Sequence, residues 1–355
     1  MRRDADREWP ASSVALEAGR EFLRRAGMDG LTIVAYHGDA DGLCAGVLAL
    51  ETLRRLGARR ARPLAAGKGE AVHSETMRRR LRSTRPTRLV VVDMGSRAEP
   101  VLPGTPTLIV DHHQPVGIPR DAVFVSSFDH PPVAPASLLT FILASSVVDL
   151  KDREWLAVVG TVADLGPAVE FPLVTEGLRR HGKRNVTETV ALLNAAKRSA
   201  EHDVETAFAV VERATSPADV AQGRVDGVDR LRQYRREVAD EVSRASRTRP
   251  IFAGRVALLR FSSGAQVHPL VAIRWARRLP NNIVVAANYG YLPGRVNFAV
   301  RSTLNVNLVD FLRGLGVSDV EGEYGYGHPR ASGGSLAPED FARLLREMGF
   351  GSACH

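Results

Sequence analysis

LTIVAYHGDADGLCAGVLALETLRRLG, residues 31–57, runs from a β-branched apolar segment (31–36) through HGDADG into a helical pattern (42–57). The pattern recurs around it. RLVVVDM (88–94) and TLIVDHH (107–113) read as further strands, and ASLLTFILASSVV (136–148) and REWLAVVGTVAD (153–164) as helices. Upstream, residues 11–27 place Val14, Ala18, Phe22 and Ala26 on one helical face. Strands that are apolar throughout and spaced by helices predict a parallel sheet covered on both faces. The fold class is therefore α/β, opening with a doubly wound domain over 1–173.

From 174 to 249 the pattern is helical only, in two long stretches, TETVALLNAAKRSAEHDVETAFAVVERA and VDRLRQYRREVADEVSRASR. They read as a helical connector that Arg249-Pro250 ends. A second, smaller α/β pattern occupies 250–355: strands at 255–261, 283–289 and 295–302, helices at 267–279, 307–315 and 338–349, and a Gly-rich loop before the last helix. The active site is expected in a cleft between the first and last domains.

Of 355 residues, 44% are hydrophobic and 25% charged, which excludes a disordered or disulfide-stapled chain. Two cysteines, Cys44 and Cys354, lack zinc-ligand spacing. The apolar stretch from Ala134 to Val148 is too short to span a bilayer, and MRRDADREWP has no apolar segment behind it, so a cytoplasmic protein without membrane partners is expected. A net charge of +8 points to a polyanionic partner. The 44 arginines against 4 lysines suit bidentate phosphate recognition, although GC-rich coding gives the same bias.

Chemistry-bearing residues gather at strand ends. His37, Asp39 and Asp41 follow the first strand, Asp93 ends VVVDMGS, and Asp111, His112 and His113 end LIVDHH. A cap on the following helix would account for Asp41 alone. A calcium loop fails, because its twelfth position is Leu48 and a strand precedes it. Asp164 in GTVADLG ends a helix, where a carboxylate opposes the dipole and invites a cation. Five carboxylates and three imidazoles share one cleft only if cations neutralise them. Oxygen-rich ligands with a few imidazoles suit Mn²⁺ or Mg²⁺ better than Zn²⁺, and their number suffices for two ions. Such a pair hydrolyses phosphoesters or phosphoanhydrides.

HGDADG, VVVDMGS, LIVDHH and GTVADLG together resemble, in order, the four motifs of the DHH phosphoesterase superfamily. Residues 250–355 are similar to its DHHA1 partner domain: NFAVRST resembles the strand carrying a substrate-binding arginine, and GYGHPRASGG the G-G-H-x-x-A-x-G loop, with Tyr326 replacing its first glycine. The resemblance implies that His37, Asp39 and Asp93 hold one Mn²⁺ and that Asp41, Asp93, His112 and Asp164 hold a second. It implies that His113 contacts the scissile phosphate or its leaving oxygen and that Asp111 orients an imidazole. Arg301, Gly327, His328, Gly333 and Gly334 would grip the incoming substrate end.

H-x-D-A-D-G is closer to RecJ-like exonucleases than to the nanoRNase pattern. The sequence ends just after the DHHA1-like part, with no room for a further OB-fold. The expected substrate is single-stranded or short DNA or RNA, cleaved to 5′-mononucleotides. Alternatives are a phosphodiesterase or phosphatase for a cyclic dinucleotide or 3′-phosphoadenosine 5′-phosphate, a polyphosphatase, and an inactive nucleic-acid-binding scaffold. The last fits poorly, since every metal ligand is kept. Oligomeric state stays open, a homodimer included.

Overall fold

The computed structural model describes residues 8–26, 30–317, 320 and 322–351. They divide into two compact units: residues 1–197 with 203–232, and residues 198–202 with 233–355. The helical segment 174–249 is shared between these units.

In the first unit, β1 (Thr32–Tyr36), β2 (Ala61–Ala65), β3 (Arg88–Val92), β4 (Thr107–Asp111) and β5 (Ala122–Ser126) form one parallel sheet in the order β2-β1-β3-β4-β5. Every residue of β1 and β4 is buried, as expected of strands covered on both faces. One face packs Ile33, Ala35, Leu89, Val91 and Ile109 against Met77 and Leu81 of α3 (Glu75–Thr84). The other side carries α2 (Ala40–Arg55), which lies against β1 and β3 and also against α4 (Ala136–Ser145), α5 (Glu154–Leu165) and α8 (Val204–Arg213). Neighbours on all sides explain why α2 is buried along nearly its whole length and lacks a polar face. Each large aliphatic side chain so buried stabilises the unit by roughly 1.5–3 kcal/mol.

The segment read as helical over 174–249, in two long stretches, holds five helices: α6 (Pro172–His181), α7 (Lys183–Arg198), α8, α9 (Pro217–Ala221) and α10 (Val228–Ala245). Local chemistry makes the breaks. Gly182 has φ +81° after α6, Asp203 caps α8 by accepting the Thr206 N–H, and Ser216-Pro217 starts α9.

The second unit has a mixed six-stranded sheet, ordered β10-β11-β9-β8-β7-β6. Its strands are β6 (Ile251–Ala253), β7 (Val256–Phe261), β8 (Ile283–Asn288), β9 (Val296–Ser302), β10 (Gly322–His328) and β11 (Ala331–Leu336), and only β7 and β8 pair in parallel. Alternate residues point to opposite cores. Leu258, Val285 and Phe298 face Leu308 and Leu312 of α12 (Leu308–Arg313) and Phe341 and Leu344 of α13 (Pro338–Glu347). Leu259, Val284 and Ala299 face α11 (His268–Arg278).

The Gly-rich segment expected as a loop is an antiparallel hairpin, β10–β11, and corrects that reading. Gly333 lies opposite Ala299 in the β11–β9 pairing, and a β-carbon on it would stand 2.2 Å from the Phe298 carbonyl oxygen. Close backbone approach, not flexibility, is the use of this glycine. No described helix is long and apolar enough to cross a membrane. Cys354 lies outside the described residues.

Candidate metal centre

The strand order reverses direction between β1 and β3, and in such sheets ligands bind beyond the carboxyl ends of the strands at that switch point. His37 and Asp39 directly follow β1, Asp93 directly follows β3, and Asp111 to His113 close β4. Helix α5 adds Asp164 in its last turn.

Backbone geometry presents these side chains individually. Asp39 is the N-cap of α2 and accepts the Gly42 N–H at 3.2 Å. Asp41 caps a different helix from the one it begins. Its Oδ2 accepts the Ala136 N–H at 2.8 Å and its Oδ1 the Ser137 N–H at 3.1 Å, at the start of α4. Asp93 has φ +61°, a left-handed conformation rare outside glycine, and is 3% exposed. A buried residue held there is strained, in the way that residues at functional sites often are. Asp111 accepts N–H groups from Gly95 at 2.6 Å and His113 at 2.7 Å, and its Oδ1 lies 3.0 Å from His113 Nδ1.

Asp93 stands at the centre. Its Oδ2 is 3.4 Å from His37 Nδ1 and its Oδ1 is 3.2 Å from His112 Nε2. His112 Nε2 is also 3.2 Å from Asp164 Oδ2, and His37 Nδ1 is 2.9 Å from Asp39 Oδ2. Ligand atoms therefore gather in three overlapping sets, each within 4.8 Å: His37, Asp39 and Asp93; Asp41, His112 and Asp164; Asp93, His112 and His113.

Crowded acids shift one another. Burial, then the charge of Asp93, pushes Asp41 up to about 7. Burial, then Asp41 and Asp93, pushes Asp164 up to about 9. Burial works against a charged His112, yet Asp93, with Asp41 and Asp164, pushes it up to about 10. Burial likewise opposes ionised Asp111, but the donors on His113 hold it below the ordinary carboxylate range.

The residues fit a divalent cation on independent grounds. His37 Nδ1, Asp93 Oδ1 and His112 Nε2 are buried, close to carboxylates, and without a hydrogen-bond partner among the described residues. Buried polar atoms left unpaired cost about 1–3 kcal/mol each. Coordination satisfies all three at once, and carboxylates with a minority of imidazoles match Mn²⁺ or Mg²⁺.

Sequence reasoning missed three contributors. Lys197 on α7 reaches His37 Nε2 at 2.8 Å and Asp39 Oδ2 at 3.2 Å. Asn194, one turn earlier, accepts the Ala40 N–H at 3.1 Å. Gly160 makes room for Asp41. The first two sit far along the chain in a helix with no motif, so nothing local marks them.

In the second unit, Arg301 ends β9 and its Nη1 donates to the carbonyls of Val300 at 2.8 Å and Ser332 at 3.1 Å. Gly333 and Gly334 lie on β11, paired with Ala299 and Phe298 of β9. Gly327 and His328 lie on β10, and the His328 side chain is outside the described residues.

At the level of sequence, no family model matches the chain. No curated protein matches it either. Its backbone does match solved structures. RecJ from Thermus thermophilus in complex with Mn²⁺ superposes with a TM-score of 0.71 at 19% identity, over 96% of this chain and 55% of RecJ. An exonuclease RecJ bound to manganese gives 0.66 at 20% identity, over 96% of both chains. The DHH domain of a protein described as a ribosomal-protein family member gives 0.70 at 14% identity, over 97% of this chain and 93% of that one. The chain shares its fold with these RecJ and DHH-domain structures. The chain spans little more than half the length of the Thermus RecJ. Within this fold, the carboxylates and imidazoles above stand at the carboxyl edge of the first sheet.

Proposed function

We propose that the chain is a metal-dependent phosphoester hydrolase that cleaves single-stranded or short DNA or RNA to 5′-mononucleotides. The observation that carries this reading is the trio of buried, unpaired atoms, His37 Nδ1, Asp93 Oδ1 and His112 Nε2, facing a ring of carboxylates. Their chemistry calls for divalent cations, and two would fit: one held by His37, Asp39 and Asp93, the other by Asp41, Asp93, His112 and Asp164. Mn²⁺ is the expected ion, with Mg²⁺ as a substitute; RecJ has been solved with each. When bound, such cations supply a nucleophile from water at neutral pH and neutralise phosphate charge.

The chain's own residues do the rest. Asp93 directs one oxygen to each ligand set. Asp111, an acceptor only, holds a proton on His113 Nδ1, and its charge favours, against burial, the doubly protonated ring, whose Nε2 proton can meet a phosphate oxygen or pass to the leaving oxygen. Arg301, Gly327, His328, Gly333 and Gly334 are proposed to hold the substrate end, since guanidinium groups and exposed backbone N–H groups recognise phosphate. The net charge of +8 supports a long polyanion, as does the exonuclease description of the RecJ structure.

Digestion of labelled single-stranded RNA, single-stranded DNA and a cyclic dinucleotide, each with Mn²⁺, tests the proposal. Release of 5′-mononucleotides from either oligomer is expected. Turnover of the cyclic dinucleotide alone would replace this reading with a small-molecule phosphodiesterase, and no turnover of any substrate would overturn it.

A further inference from the structure

The ring of candidate ligands contains a cation of its own. Lys197 is 17% exposed, its Nζ lies 2.8 Å from His37 Nε2 and 3.2 Å from Asp39 Oδ2, and its stem passes over Gly38, where a β-carbon would stand 3.7 Å from Lys197 Cγ. Asn194 ties α7 to the head of α2 one turn earlier, so the fold itself sets the position of the amine.

An ammonium group can only donate hydrogen bonds. The amine therefore turns its donors toward His37 Nε2 and Asp39 Oδ2, while the ring's other nitrogen is His37 Nδ1. That nitrogen faces Asp39 at 2.9 Å and Asp93 at 3.4 Å. Lys197 thus already covers His37 Nε2 and engages Asp39 Oδ2, two atoms of one candidate ligand set. The set Asp41, His112 and Asp164 lies on the other oxygen of Asp93.

We propose that Lys197 is a resident counter-cation that makes the two ion positions unequal. The position of Asp41, Asp93, His112 and Asp164 fills firmly, while that of His37, Asp39 and Asp93 fills only as the Lys197 amine lets go of His37 and Asp39. The displaced ammonium then stands beside the centre as a donor for a substrate phosphate oxygen. This inference rests on the metal-dependent reading above and adds an order to it.

Calorimetric titration of Mn²⁺ into chelator-treated protein tests it, comparing wild type with Lys197→Gln and Lys197→Arg. Wild type should bind in two steps differing by at least about tenfold, as expected for a unit charge opposing an ion a few ångströms away. Lys197→Gln should tighten the weaker step by about tenfold and leave the tighter one unchanged. Lys197→Arg should restore the inequality. Lys197→Met, which keeps the stem, serves if the Gln variant folds poorly. Two equal steps in wild type, or a weaker step that neutral substitution leaves unchanged or weakens further, would overturn the inference while leaving the metal reading intact. Absence of Mn²⁺ binding in all the proteins would remove both.

Discussion

Gly160 backs directly onto Asp41: a β-carbon at 160 would stand 2.6 Å from Asp41 Oδ1 and 2.2 Å from Ser137 Oγ. The same Oδ1 receives the Ser137 N–H, so α5 can approach α4 and the carboxylate only where it has no side chain. Gly160→Ala should destabilise the protein by about 1–3 kcal/mol in urea unfolding, the usual cost of overpacking. It should also weaken Mn²⁺ binding by shifting Asp41. Wild-type values for both would show that the approach is looser than these distances imply.

Asp93 combines two roles that substitution can separate. Asn tolerates a left-handed backbone nearly as well as Asp, whereas Ala adds roughly 1 kcal/mol of strain there. Asp93→Asn should therefore abolish hydrolysis yet melt no lower than wild type once both are stripped of metal, since a carboxylate has left a crowded acidic site. Mn²⁺ at a hundredfold excess over its Kd should stabilise wild type by about 2.7 kcal/mol and the variant far less. A variant that keeps substantial turnover contradicts the central placement of Asp93.

His268, the first residue of α11, is buried, and burial together with the nearby Arg301 charge holds it down to about 3 against an ordinary 6.5. The folded state thus binds its proton later than the unfolded state as pH falls. The stability that neutral His268 contributes is complete above about 6.5, declines below it, and is lost as pH approaches 3. Between about pH 7.5 and about pH 5, wild type should lose more unfolding free energy than His268→Asn. Parallel losses in the two proteins would assign the acid limb elsewhere.

Arg301 tests whether the second unit takes part in turnover. Two backbone carbonyls hold its guanidinium, leaving further N–H groups to meet an anion. Arg301→Ala should raise KM for an oligonucleotide by an amount equivalent to about 1.5–3 kcal/mol, a lost charge-assisted contact. Mn²⁺ affinity should not change. An unaltered KM would confine the reaction to the first unit.

Much of the first sheet is legible in the sequence, because β1, β3 and β4 are continuous apolar runs with chemistry at their ends. The edge strands are not. β2 is Ala-Arg-Pro-Leu-Ala, mostly exposed or half-buried, with Pro63 at an edge position that tolerates it, and β5 is only partly buried. β10 and β11 are rich in glycine and lack the β-branched residues that announce a strand, so they read as a loop. HGDADG, Asp93, the Asp111–His113 run and Asp164 are visible because each interrupts or ends a hydrophobic pattern. Lys197 is not, since a lysine on an amphipathic helix ordinarily points at water. Asp41 needed three dimensions as well: that it caps α4, and not its own helix, follows only from tertiary packing.

The strand order β2-β1-β3-β4-β5 also bears on how the protein comes into being. A chain emerging from synthesis makes HGDADG early, but the partners of that motif arrive with β3, β4 and finally α5, each across a parallel crossover that closes slowly. His37, Asp39 and Asp93 are all made once β3 is complete, whereas the set of Asp41, His112 and Asp164 waits for α5. A cation held by that last set would belong to the finished unit and would slow its unfolding, with little effect on how fast it forms.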